Sequence, residues 1–150
     1  MFSKRSLLAL IPARSGSKGL PDKNIVKCAG KPLIELTISA AKNVNFIDDV
    51  LVSTNSEKIA DIATNAGASV PFLRPDELAT DDASIINVVK HAWENHLAPN
   101  GRNFDYVVLL QATSPLRMSS HIISAIELYF KKCKSEKDTL VSVNEVDKKN

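Results

Sequence analysis

The chain predicts an α/β fold with a mostly parallel sheet. Apolar segments of strand length alternate with segments of helical period, and a cation-rich loop containing two glycines follows the first apolar run. Strands covered on both faces read as continuous apolar runs, not as alternating ones. Most of the five strand expectations, residues 7–11, 50–53, 70–73, 106–110 and 140–146, are of that kind.

Between them, residues 33–43, 56–66, 84–96 and 119–132 read as helices. In the second of these Ser56 can cap the first turn, Ile59, Ile62, Ala63 and Ala66 make an apolar stripe, and Gly67 ends the helix. The expected loops are residues 15–24, 74–82, 98–105 and 112–118. A ligand of an open α/β sheet lies beyond the carboxyl ends of the strands, where strand order reverses. Loops following the first, third and fourth strands would therefore converge on one crevice.

Composition narrows the class further. A length of 150 residues is that of one domain, so residues 1–150 are expected to form a single α/β unit. Hydrophobic residues at 44% and charged residues at 24% are near globular averages, which argues against disorder or a fibre. A net charge of +2 is too small to imply nucleic acid. Lys131, Lys132 and Lys134 gather at an expected helix end, where cations complement the helix dipole. Cys28 and Cys133 form neither a zinc nor a redox motif, and free thiols suit a reducing cytoplasm. No stretch approaches the roughly 20 apolar residues of a membrane-spanning helix, and the N-terminal apolar run is too short for a secretory signal. A cytoplasmic protein without a membrane partner is expected.

The three histidines, His91, His96 and His121, lack a shared helical face and are expected to be structural or solvent-facing. Asp81 and Asp82 read as a capping pair at a helix start, not as a metal site.

The loop after the first strand carries the chemistry. Gly16 and Gly19 permit the positive φ angles that turn backbone N–H groups toward a phosphate, while Arg14, Lys18 and Lys23 supply charge. Arg meets phosphate oxygens with two parallel bonds and Lys acts as a mobile point charge. The loop matches neither GxxxxGK[ST] nor GxGxxG. Spacing alone leaves two readings open, a phosphate-binding loop and a solvated basic turn.

Residue identity goes further. Ala13, Arg14, Ser17, Lys18, Gly19, Lys23 and Asn24 resemble the N-terminal signature of the acylneuraminate cytidylyltransferases, also called CMP-sialic acid synthetases. Two later stretches resemble the same family: Leu73-Arg74-Pro75 with Leu78-Ala79, Asp81 and Ala83-Ser84, and Leu109-Leu110-Gln111 with Thr113-Ser114-Pro115-Leu116-Arg117. Ala112 stands where the family usually carries Pro. The related enzymes for the eight-carbon sugar of lipopolysaccharide carry Tyr-Ala-Ser-Thr-Arg where this chain has Ser15-Gly16-Ser17-Lys18-Gly19, which puts the resemblance on the nine-carbon, sialic acid-like side.

The resemblance implies a three-layer, Rossmann-like nucleotidyltransferase fold. It implies a transferase that activates a nonulosonic acid with CTP, giving the CMP-sugar and pyrophosphate for surface polysaccharide biosynthesis. Arg14 and Lys23 would be catalytic, Arg14 on phosphate and Lys23 on the charge that develops at the reacting phosphoryl group. Arg14, Ser17, Lys18, Asn24, Arg74 and Ser84 would bind nucleotide, and Gln111, Ser114 and Arg117 the sugar acid. Four alternatives stay open: Lys18 as a solvated charge, Asn24 as a turn residue, Arg74 as a surface charge in an extended loop, and Ser84 as a helix cap. Arg117 could meet a carboxylate or merely open the next helix. Gln111, at the end of a strand expected to be buried, requires a partner.

The family is typically longer. Its later part is implied to supply the Mg²⁺ ligands beyond residue 150 and a homodimerisation segment. The chain is thus expected to be truncated relative to the family, and a non-catalytic CTP-binding remnant is the alternative.

Overall fold

A computed structural model of the chain describes residues 5–135 and 137–143. Its centre is strand β1, Leu7–Pro12, the Leu-Leu-Ala-Leu-Ile-Pro run in which each of the first five residues is buried. A strand with no polar side chain has no face to offer water, so both faces take packing partners.

Two short strands, β2 (Lys27–Cys28) and β3 (Lys31–Pro32), form an antiparallel hairpin after the first loop. Helix α1 (Leu33–Lys42), strand β4 (Asp49–Ser53) and helix α2 (Glu57–Asn65) follow. Then come helix α3 (Ile85–Ala92), strand β5 (Tyr106–Leu109) and helix α4 (Ser119–Lys132). The sheet order is β4-β1-β5, and both pairings are parallel.

Alternate residues of β1 feed two cores. Leu7, Ala9 and Ile11, with Val50 and Val52 of β4, pack against Ile34 and Ile38 of α1, Ile59 and Ala63 of α2, and Ile122 and Ile126 of α4. Leu8, Leu10 and Leu51 face the other way, against Ala92 of α3 and Leu97. Helices on both sides of a parallel sheet make the expected three layers. Each fully buried Leu or Ile contributes about 1.5–3 kcal/mol relative to exposure, so β1 fixes the fold from its middle.

Local signals behave as the residues dictate at several ends. The Ser56 hydroxyl accepts a hydrogen bond from the Ile59 N–H at 3.3 Å and caps α2. Gly67, at φ +89°, follows the helix in the left-handed region that Gly adopts without a Cβ penalty. Lys131 and Lys132 occupy the last turn of α4.

Four elements differ from expectation. Residues 70–73 are not a full strand. Backbone pairing in this region is limited to isolated bridges, Leu51 with Ser69 and Thr54, just past β4, with Leu73, because Pro71 between them has no N–H to donate to a ladder. The helix expected over residues 84–96 is α-helical only to Ala92. It widens to a π turn over Trp93–Leu97 and tightens to a 3-10 turn over Ala98–Asn100, which holds Pro99. β5 is buried on one face only: it lies at the edge of the sheet, and Val107 and Leu109 remain 36% and 38% exposed. Of the strand expected over residues 140–146, residues 140–143 are coil, with Val141 and Val143 exposed, and residues 144–146 lie outside the described residues. A strand needs a neighbouring edge to satisfy its backbone groups, and residues 140–143 make no ladder.

Candidate functional site

The bridges at residues 69–73 extend the strand order to four positions, with this segment outside β4, then β1, then β5. The order reverses between β1 and β5, and the loops leaving β1, β4 and residue 73 meet at the carboxyl ends of these parallel segments.

The first loop is tied at both ends. Ala13 is fully buried and donates its N–H to Ser53 O at 2.9 Å. Gly16, at φ +71°, turns the chain. The Asn24 amide, 8% exposed within the 3-10 turn Lys23–Ile25, donates to Arg14 O at 2.9 Å. Asn24 therefore fastens the end of the loop to its beginning, the turn role left open by the sequence. A third fastener is Asn55, just past β4. Its Oδ1 accepts from Ser15 N at 3.0 Å, and its Nδ2 donates to Ser15 Oγ at 3.0 Å and Asp76 Oδ1 at 3.1 Å. One amide thus joins the loops after β1, β4 and residue 73.

A cleft of about 410 Å³ opens between these loops, lined among others by Arg14, Lys18, Asn55, Asp76 and Asp81. Arg14 donates to Gly16 O at 3.3 Å and Ala79 O at 3.5 Å, and its Nη2 pairs with Asp81 Oδ1. Lys18 Nζ reaches the other carboxylate oxygen at 2.9 Å. Hydrogen bonds from Lys18 and then Arg14 hold the Asp81 carboxyl below its ordinary pKa. Asp81 thus binds the basic loop and caps no helix, contrary to the capping reading: two nearby cations outbid a helix end.

Arg74 is 5% exposed, which overturns the surface-charge alternative. Its backbone N–H bonds Thr54 O at 2.7 Å, drawing the residue against β4 and its side chain into the protein. Nε and Nη2 of that guanidinium are buried with no hydrogen-bond partner. Burial first, and the like charge of Arg14 second, lower its pKa. A buried cation with vacant donors beside a second cation is an arrangement that an anion completes.

The remaining sequence-predicted residues are distributed around this centre. Ser17 and Lys23 are half-buried, and Lys23 makes no ion pair among the described residues. Ser84 occupies the cap position of α3, yet its side chain makes no capping bond and is exposed. Gln111 is exposed rather than buried, because the strand it follows is the sheet edge. Its carbonyl accepts from Arg117 Nη1 at 3.0 Å, and the Ser114 carbonyl accepts from Arg117 N at 3.1 Å. Arg117 is half-buried and its pKa is lowered by desolvation. Gln111, Ser114 and Arg117 therefore form one turn past β5.

No group of three His, Cys, Asp or Glu able to hold a metal exists among the described residues. Asp81 is engaged by Arg14 and Lys18 and Asp76 by Asn55, which leaves Asp82 as the one cleft carboxylate without a partner among the described residues, too few for a Mg²⁺ site, and no step below is routed through one. Asn55 and Asp76 escaped sequence reasoning. Their signal was position, a polar residue within two of a strand's carboxyl end and an acidic residue within two of Arg74.

The cytidylyltransferase family profile matches residues 8–150. The chain is 44% identical over 126 residues to N-acylneuraminate cytidylyltransferase of Escherichia coli O18:K1:H7, covering 84% of this chain and 29% of the relative. It is 46% identical over 123 residues to CMP-N,N'-diacetyllegionaminic acid synthase of Legionella pneumophila, covering 82% and 53%. It is 40% identical over 122 residues to pseudaminic acid cytidylyltransferase of Campylobacter jejuni, covering 81% and 52%. The chain thus spans between 29% and 53% of the length of these relatives. Among solved structures, CMP:2-keto-3-deoxy-manno-octonic acid synthetase complexed with CTP superposes with a TM-score of 0.69 at 20% identity, over 85% of this chain and 48% of that one. That likeness establishes the nucleotidyltransferase fold. With a profile match over nearly its whole length and relatives of one chemistry, the chain belongs to the cytidylyltransferase family.

Proposed function

We propose that this chain is the nucleotide-binding portion of a cytidylyltransferase that joins CTP to a nonulosonic acid. The anomeric hydroxyl oxygen forms a bond to the α-phosphorus, the bond to the β-phosphate oxygen breaks, pyrophosphate leaves, and the hydroxyl proton is lost. Positioning and charge neutralisation supply most of the catalysis in such a transfer.

The observation that carries the proposal is Arg74, a buried guanidinium with two vacant donors beside Arg14. A triphosphate in the cleft would meet Arg14 and Lys18 of its lining, and the vacant donors of Arg74, buried beside Arg14, would complete its charge neutralisation. Asn24 holds the first loop through Arg14 O and so positions Arg14 for the nucleotide. Lys23, half-buried and without an ion pair among the described residues, is free to meet the charge that develops on the reacting phosphoryl group. Ser17 and Ser84, in the stretches that carry Lys18 and Asp81, would add hydroxyl contacts to the nucleotide. The turn of Gln111, Ser114 and Arg117 would receive the sugar acid, with Arg117 on its carboxylate. The nine-carbon substrate class follows from the sialic, legionaminic and pseudaminic acid relatives.

Residues 1–150 span 29% to 53% of the length of these relatives, and action as a homodimer in the cytoplasm belongs to the proposal through the family resemblance alone. No helix of the described residues is long and apolar enough to cross a membrane. The test is pyrophosphate release with CTP, Mg²⁺ and a panel of nonulosonic acids, with ATP, GTP and UTP as controls. Release that requires CTP and one sugar supports the enzyme, and Lys23→Ala then removes it. CTP binding with no release across the panel leaves a non-catalytic CTP-binding unit.

A further inference from the structure

We infer that Asp81 is an internal latch on the phosphate site: its carboxylate stands where an incoming phosphate must bind, and triphosphate binding displaces it from Arg14 and Lys18. The inference rests on the proposed triphosphate site, but on neither the base nor the sugar.

The geometry sets up the competition. Both oxygens of one carboxylate are in use, Oδ1 on Arg14 and Oδ2 on Lys18 at 2.9 Å. A phosphate satisfying the vacant Nε and Nη2 of Arg74 would add negative charge beside Arg14 and so beside Asp81. The carboxylate and a phosphate would repel each other there, and Arg14 has one fork to give. The phosphate wins, because it brings several acceptor oxygens and also meets the buried Arg74, which Asp81 leaves unpartnered.

The two holds on Asp81 are unequal. Lys18 is 86% exposed, and a pair so open to water holds weakly. Arg14 and Asp81 are each 28% exposed, so their contact is the stronger hold. Arg14 also donates to Ala79 O at 3.5 Å, which ties the segment bearing Asp81 to the first loop a second time. In the absence of ligand the latch offsets the charge of Arg14 beside Arg74. With ligand bound, the segment around Asp81 is released from the cleft.

The probe is inorganic tripolyphosphate, measured calorimetrically on the wild-type chain, Asp81→Asn and Asp82→Asn without divalent cation. Asp82 lines the same cleft but makes no ion pair among the described residues, so its variant reports the effect of a carboxylate's field alone. The latch predicts about tenfold tighter binding to Asp81→Asn and less than a twofold change for Asp82→Asn. Binding to Asp81→Asn that is unchanged or weaker overturns it, as does an equal gain in both variants. Parallel titrations with CTP and ATP separate the two ideas: loss of any cytidine preference sinks the nucleotide reading, while the tripolyphosphate result still decides the latch. Should Asp81→Asn fail to fold, hydrogen exchange on the wild-type chain decides instead. Faster exchange at residues 79–82 on adding tripolyphosphate supports the latch, and unchanged or slower exchange overturns it.

Discussion

Arg74 shows how one residue can work against the fold that holds it. A buried guanidinium lacking partners costs free energy, whereas an apolar side chain of similar length fills the same space without that cost. Arg74→Met is therefore expected to raise the thermal midpoint of the ligand-free chain while weakening CTP binding. Each lost charge-assisted hydrogen bond is worth about 1.5–3 kcal/mol. Two such bonds to phosphate predict at least a 100-fold rise in Kd. Calorimetric unfolding beside CTP titration checks the opposite signs, and a fall in both stability and affinity would reduce Arg74 to a structural residue. The sequence marked Arg74 through its Leu-Arg-Pro context and left its burial undecided. That burial follows from the Thr54 bond, a contact between loops 20 residues apart that no local pattern announces.

At the scale of elements, the β2–β3 hairpin is the feature sequence reasoning passed over. Its turn places Ala29 at φ +52° and Gly30 at φ +81°, and two successive positive angles are those of the hairpin turn for which Asn-Gly is the strongest signal. Ala is disfavoured in the left-handed region by about 1–2 kcal/mol, so Ala-Gly does not read as such a turn. Ala29→Asn is expected to stabilise the chain by about 1 kcal/mol, visible as a higher urea midpoint at unchanged m-value. No gain would mean that the turn relaxes in solution. The main helices, by contrast, were legible almost to their ends, because periodicity and the Ser56 and Gly67 punctuation are local. Of the exceptions, residues 70–73 depend on a neighbouring strand, against which Pro71 offers no N–H. The third helix instead changes its winding just ahead of Pro99, where the bond back to residue 95 is missing.

Across the whole molecule, the described sheet is flanked on the β4 side by the bridged segment at residues 69–73 and is open on the β5 side. Among the described residues β5 pairs with β1 alone, and Val107 and Leu109 face outward at 36% and 38% exposure. An open edge strand with an apolar face invites edge-to-edge association. Leu109→Lys is expected to reduce concentration-dependent association in sedimentation velocity, with little change in midpoint since the site is already partly wet. Association that persists unchanged would place the sticky surface elsewhere. As far as the described residues reach, the open apolar edge belongs to β5.

What the sequence determined by itself was the list of parts: the α/β alternation, the strand and helix that flank each loop, and three motifs whose residue identities name the chemistry. Those are local properties of spacing and composition. Only the tertiary structure decided which charges meet. It buried Arg74, turned Asn24 inward to Arg14 O, set Asp81 on the two loop cations, and left Gln111 in the open. Each outcome depends on strand order, because β1 between β4 and β5 brings loops some 40 to 100 residues apart to one end of the sheet, where pairing and burial are settled between segments that are strangers in sequence.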